Sequence, residues 1–178
     1  YTVYNTLSLH DALPILYDSL GRPATRYMGY NATATTSAPL GSGTPSTVTA
    51  DVIMEQSETT YDAAGNGIES RQRQRYHNAA ESQTGPLQDP SNNPKARVTY
   101  VAAYPDALGR TQASADYGTN GGTALSRPTT IPAHSDTCLV SSQTYSAAGN
   151  LLNTTDPANL VTAFTYDAAG RELTRTQN

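Results

Sequence analysis

The sequence predicts an all-β chain built from antiparallel hairpins. Three observations carry that reading. A short turn motif, Tyr-Asp-x-x-Gly followed by Arg or Asn, recurs along the 178 residues. The stretches around it alternate in polarity and are rich in Val, Tyr and Thr, the chemistry of half-buried strands. No stretch holds a helical period, and the nearest, Asn78–Ser82, is too short to nucleate a helix.

The clearest copy is Val161–Thr176. Two alternating runs, Val161–Tyr166 and Arg171–Thr176, flank Asp167-Ala168-Ala169-Gly170. An Asp at the first corner accepts a hydrogen bond from an amide two residues on, and Gly three residues later takes positive φ without a Cβ clash. A type I turn followed by a left-handed residue is a common hairpin connection.

Further copies centre on Tyr17, Asp18 and Gly21; on Tyr61, Asp62 and Gly65; on Asp106 and Gly109, with Pro105 in the Tyr slot; and on Tyr145 and Gly149, with Ser146 in the Asp slot. Asp156-Pro157-Ala158-Asn159 reads as a weaker one, with Asn159 replacing Gly. The turn glycines Gly21, Gly65, Gly109, Gly149 and Gly170 are 44, 44, 40 and 21 residues apart. These gaps are near multiples of about 21, the fixed period of a repeat architecture. Alternate, degenerate copies are therefore expected near Gly43, Gly85–Asn93 and Gly122–Arg127.

On these residues the chain resembles the RHS/YD-repeat proteins, from Tyr17 to Asn178. The resemblance implies hairpins wound into a curved, spiralling sheet that forms part of a hollow shell. Such shells enclose a C-terminal polypeptide, often a toxin, and belong to secreted or cell-surface bacterial proteins. The implied partners are flanking repeats and a C-terminal cargo of the same parent chain. Tyr17, Asp18, Gly21, Tyr61, Asp62, Gly65, Asp106, Gly109, Tyr145, Gly149, Tyr166, Asp167 and Gly170 carry over as structural turn residues. The resemblance carries over no catalytic residue, so the section is expected not to be an enzyme. The chain starts without Met and reads as a section of a longer polypeptide.

Two other classes compete. A surface module would present Tyr and Arg to a glycan, with several rings exposed in one row. A hydrolase would hide its site in a long loop such as 77–94. A wall section instead packs Tyr100, Tyr104 and Tyr166 between strands.

Composition narrows the field. Charged residues are 15%, and the net charge of −4 lacks the basic footprint of a nucleic-acid binder. The aromatics are 12 Tyr and 1 Phe with no Trp, which suits strands that are apolar along the ring and wet at the hydroxyl. No apolar run reaches the length of a membrane span. Cys138 is the lone cysteine and reads as a small buried residue. His134, Asp136 and Cys138 alternate on one side of a strand, but a tight metal site needs a fourth ligand or a second cluster, and neither is present in the sequence. No metal or cofactor is expected.

The N-terminal segment 1–16 is set aside as an artefact or a disordered segment. Thr6–Ile15, TLSLHDALPI, resembles the translated end of a sequencing-library adapter. His10 and Asp11 are accordingly expected to carry no function. From Leu16 the reading is strand after strand. Thr47–Tyr61 is a long strand with Val48, Ala50, Val52 and Met54 on one face. Arg71, Arg73 and Arg75 share a face, read as solvated or as charge on an edge strand. His77–Pro94 is the segment most open to nicking. In Arg97–Tyr104, Val98, Tyr100, Ala102 and Tyr104 face one way.

Overall fold

A computed structural model describes residues 14–31 and 48–178. Within them lie ten strands: β1 (Ile15–Tyr17), β2 (Pro23–Asn31), β3 (Asp51–Tyr61), β4 (Gly67–Arg75), β5 (Ala96–Pro105), β6 (Thr111–Gly118), β7 (Leu139–Tyr145), β8 (Leu151–Thr155), β9 (Val161–Tyr166) and β10 (Glu172–Gln177). The strand order in the sheet is the chain order, β1 to β10. From β1 to β3, and again from β5 to β10, each strand runs antiparallel to the next. The fold is all-β, as the alternation predicts.

The chain divides into two compact units. The first is Tyr1–Thr59 with Arg71–Val98 and Gly121–Thr123. Its core holds Tyr27, Val48, Ile53, Leu87 and Ala96, with Leu16 packed against it. The second is Thr60–Ser70, Thr99–Asn120 and Ala124–Asn178. Its core holds Ala102, Tyr104, Ala113, Ala115 and Cys138, flanked by Tyr117 and Val140. Burial of each large apolar side chain contributes about 1.5–3 kcal/mol.

In β5 the predicted face is the observed one. Ala96, Val98, Tyr100, Ala102 and Tyr104 are buried and the residues between them are not. Cross-strand pairing continues that face, with Ala102 opposite Ala115 and Tyr104 opposite Ala113. Small alanines leave room for the two rings.

The predicted face of Thr47–Tyr61 needs correction. The strand begins at Asp51. Met28 pairs with Glu55 while Gly29 pairs with Ile53, so Met54 is an extra, bulged residue. The bulge lets Val52 and Ile53 be buried in succession and turns Met54 outward. Gly29 is required opposite this kink, because a β-carbon there would run into the Val52 carbonyl.

The arginine strand also departs from expectation. β4 lies between β3 and β5 and is not an edge. The Arg73 side chain is 11% exposed; its Nε reaches Glu58 and its Nη1 reaches Asp89, each at 2.7 Å. Arg75 Nη2 donates to the carbonyls of Ala80 and Gln83. These guanidiniums tie down the loop 76–95, so His77–Pro94 is not the loose segment its composition suggests. Leu87 in that loop is 2% exposed, and its amide donates to Gln56 Oε1 at 2.8 Å.

The spacing of 44 has a different origin from a missing hairpin. Between Gly65 and Gly109 the chain makes β4, one long loop and β5. Residues 85–93 lie in that loop. The window 122–127 likewise lies in the connection from β6 to β7, beside a 3-10 turn at Asn120–Gly122. The window near Gly43 lies outside the described residues. The unit is thus one strand pair with a connection of variable length, and the gap of 21 is the same unit with a tight turn. Asp156–Asn159 is that tight turn, and Asn159 does take φ 63.

Residues 1–13, with His10 and Asp11, lie outside the described residues. Ile15 and Leu16, set aside with them, belong to β1 and pair with Arg26 and Thr25.

Candidate functional site: a stack of aspartate-capped turns

Each Tyr-Asp turn closes on itself. In the first, Gly21 N–H donates to the Asp18 carbonyl at 3.0 Å and Asp18 N–H to the Arg22 carbonyl at 2.9 Å. The Asp18 carboxylate accepts from the amides of Leu20 and Arg22 through Oδ1 and from Arg22 Nε through Oδ2. Asp106 takes the same set from Leu108 and Arg110, and Asp167 from Ala169 and Arg171. Asp62 takes the Asn66 amide and Asn66 Nδ2. Ser146, with one side-chain oxygen, takes only the Asn150 amide, at 3.1 Å. Asp156 accepts from Ala158 and Leu160.

These donors fix the charge of the carboxylates. The Arg22 amide beside Asp18 and the Arg171 amide beside Asp167 hold both below their ordinary value. The Asn66 side chain lowers Asp62, and the Arg110 guanidinium lowers Asp106.

The residue after each turn glycine therefore belongs to the turn. Arg22, Asn66, Arg110 and Arg171 bond back to the Asp four places earlier. The sequence marked them only as the last letter of a pattern. Their type was the signal: guanidinium and carboxamide are the planar groups that donate to a carboxylate beside its backbone partners.

A bulge recurs as well. Tyr17 pairs with Pro23, Pro105 with Thr111, Tyr145 with Leu151 and Tyr166 with Glu172. In each hairpin the next residue, Ala24, Gln112, Leu152 or Leu173, is left without a partner in the ladder. Each such bulge adds local right-handed twist.

In the second unit consecutive turns touch. A β-carbon built on Gly109 would stand 2.8 Å from Asn66 Oδ1. One on Gly149 would stand 3.8 Å from Arg110 Nη1, and one on Gly170 would stand 3.7 Å from Asn150 Oδ1. The Arg110 guanidinium also lies over the Tyr145 ring, 4.4 Å from its centroid, and Tyr145 Oη donates to the Thr111 carbonyl at 3.0 Å. Each turn is thus read by the Tyr or Gly of the next.

The stretch in which this unit is tightest has 21 residues between turn glycines. Residues 145–178 match the RHS repeat family model. That segment is an RHS repeat. The match spans the Ser146 turn through Asn178, and the carboxylate geometry of Asp167 within it recurs outside it at Asp18 and Asp106. No curated protein matches the chain.

The other predicted residues fall as follows. Tyr104 is buried, and Arg127 spans its ring at 4.4 Å while donating to the carbonyls of Ile68 and Ala103. Tyr61 and Tyr166 are half-buried. Tyr17 is 59% exposed, so not every motif Tyr packs on a neighbour. Cys138 is buried in the second core, and burial pushes the phenol of its neighbour Tyr117 above the ordinary value. His134 Nδ1 accepts from the Val140 amide. Among the described residues no three His, Cys, Asp or Glu side chains gather, and no helix is long and apolar enough to cross a membrane.

Proposed function

We propose that this RHS-repeat chain is a wall section of a larger β-shell, structural and not catalytic, in a secreted or cell-surface bacterial protein. The shell encloses or presents a C-terminal domain, of which a toxin is the leading kind. The turn stack supports this reading. The Asp, Asn and Arg side chains at the turn corners of the second unit hold one hairpin or meet the next, which is work for a wall. Tyr100 and Tyr104 are buried, as a wall requires, and Tyr145 carries Arg110 on its face. A glycan module would offer those rings to solvent.

The test uses the complete reading frame that encodes residues 1–178. The region C-terminal to Asn178 is expected to resist protease until residues 145–178 are deleted. Equal digestion of that region with and without the deletion would sink the proposal.

A further inference from the structure

We infer that a cleft in the first unit, formed where the loop 76–95 folds back on itself, is a binding site for a small hydroxylated carboxylate. Such a site is independent of whether the chain forms a wall.

The cleft has a volume of about 390 Å³. Its sides are pinned by the backbone. Tyr76 N–H donates to the Lys95 carbonyl at 3.3 Å, Ala79 N–H to the Tyr76 carbonyl at 3.0 Å and Gln83 N–H to the Ala80 carbonyl at 3.0 Å. Gln88 N–H donates to the Pro94 carbonyl at 2.8 Å, and Arg75 Nη2 ties the carbonyls of Ala80 and Gln83. The loop thus spends its backbone groups on its own shape. The side-chain ends that line the cleft are left over. Among the described residues, the carboxamides of Asn78, Gln83 and Asn93 and the ammonium of Lys95 have no hydrogen-bond or ion-pair partner. A preformed cleft with a few convergent polar groups is the usual form of a small-molecule site.

The lining also selects the ligand. Lys95 is its one charged side chain and the sole lysine of the 178 residues. The acids of the loop are engaged elsewhere: Glu81 accepts from the Tyr30 hydroxyl and Asp89 from Arg73 Nη1, and neither lines the cleft. An anion is therefore favoured over a cation, and one ammonium matches one carboxylate. Three carboxamides, each able to donate and to accept, match hydroxyl groups. The Tyr76 ring, 37% exposed, and the Ala79 and Ala80 methyls offer an apolar side to the C–H groups of the same molecule.

Titration of the full chain with sodium gluconate, at ionic strength matched by sodium chloride, tests this. The side-chain amide NMR signals of Asn78, Gln83 and Asn93 are expected to shift and saturate. Saturating gluconate is also expected to slow acetylation of Lys95 by acetic anhydride, read by mass spectrometry. Lys95→Gln, with a spectrum otherwise unchanged, is expected to weaken binding at least about tenfold. Sorbitol, which lacks the carboxylate, is expected to bind the native chain weaker by a similar factor. Amide shifts that never saturate overturn the inference. So does equal binding of sorbitol and gluconate, or full affinity in Lys95→Gln, since the carboxylate would then go unread. Inorganic phosphate that produces the same shifts at the same concentration overturns it too, because the cleft would then take any anion.

Discussion

Asn66 Oδ1 stands 2.8 Å from the point where a β-carbon on Gly109 would sit. The amide is held there from behind, because Asn66 Nδ2 donates to Asp62 Oδ2 at 2.9 Å. Two neighbouring turns thus share one carboxamide. Gly109 also has φ 77, so an added side chain meets both backbone strain and a fixed neighbour.

Gly65 makes the comparison. It has φ 93, but a β-carbon there would meet no other residue within 4 Å beyond its chain neighbours. Gly65→Ala is expected to cost about 1 kcal/mol, the left-handed strain alone. Gly109→Ala is expected to cost more, by about a further 1 kcal/mol from displacing the Asn66 amide. Urea denaturation of both variants checks this, and equal losses would show that Asn66 moves aside freely.

The turn carboxylates set an acid limit. Asp18, Asp62, Asp106 and Asp167 are held below the ordinary value of 3.8. Groups lowered on folding contribute stability that is complete above the unfolded value and is lost as pH falls through the folded one. Stability from these turns is therefore expected to be flat from neutral pH down to about 5 and to fall below about 4. Carboxyl carbon NMR titrations that gave these four values at or above 3.8 would contradict the hydrogen-bond pattern.

Arg73 separates a buried pairing from a surface one. Its guanidinium is shared between Glu58, which is 23% exposed at the side chain, and Asp89, which is 42% exposed. Arg73→Ala is expected to cost about 2–3 kcal/mol, because Glu58 is left half-buried without its closest cation. Asp89→Ala is expected to cost under about 1 kcal/mol. Thermal melts of the two variants distinguish them; the reverse order would place the weight of the network at the loop.

The loop 76–95 is expected to resist glutamyl endopeptidase at Glu81 in the native chain. Gln56→Ala removes the acceptor for the buried Leu87 amide. That change is expected to expose the loop to cleavage before the rest of the chain unfolds. Mass spectrometry of the early fragments reads the outcome. Cleavage at the same rate in both proteins would mean that Arg73 and Arg75 hold the loop without Gln56.

Local chemistry was legible and long-range packing was not. The Asp and Gly of each turn act within five residues, so their types alone announce the corner, even at Asp156–Asn159. The β5 face was legible because Val98, Tyr100, Ala102 and Tyr104 alternate without interruption. Met54 misled because a bulge shifts the period, and its cause, the Gly29 crossing, is more than 20 residues away. Arg71, Arg73 and Arg75 misled because their partners, Glu58 and the loop carbonyls, come from other segments. The gap of 44 misled because a loop and a worn strand pair have the same composition of Gly, Pro, Asn and Ser.

The pairing within each turn has an electrical consequence. Asp18 with Arg22, Asp106 with Arg110, Asp167 with Arg171 and Ser146 with Asn150 each sum to no net charge, which leaves only the corners at Asp62 and Asp156 uncompensated from within. Like charges repeated at a fixed spacing would repel more strongly with every hairpin added. Corners that neutralise themselves remove most of that penalty. The length of such an array is then set by the number of hairpins encoded, and ionic strength has little hold over it.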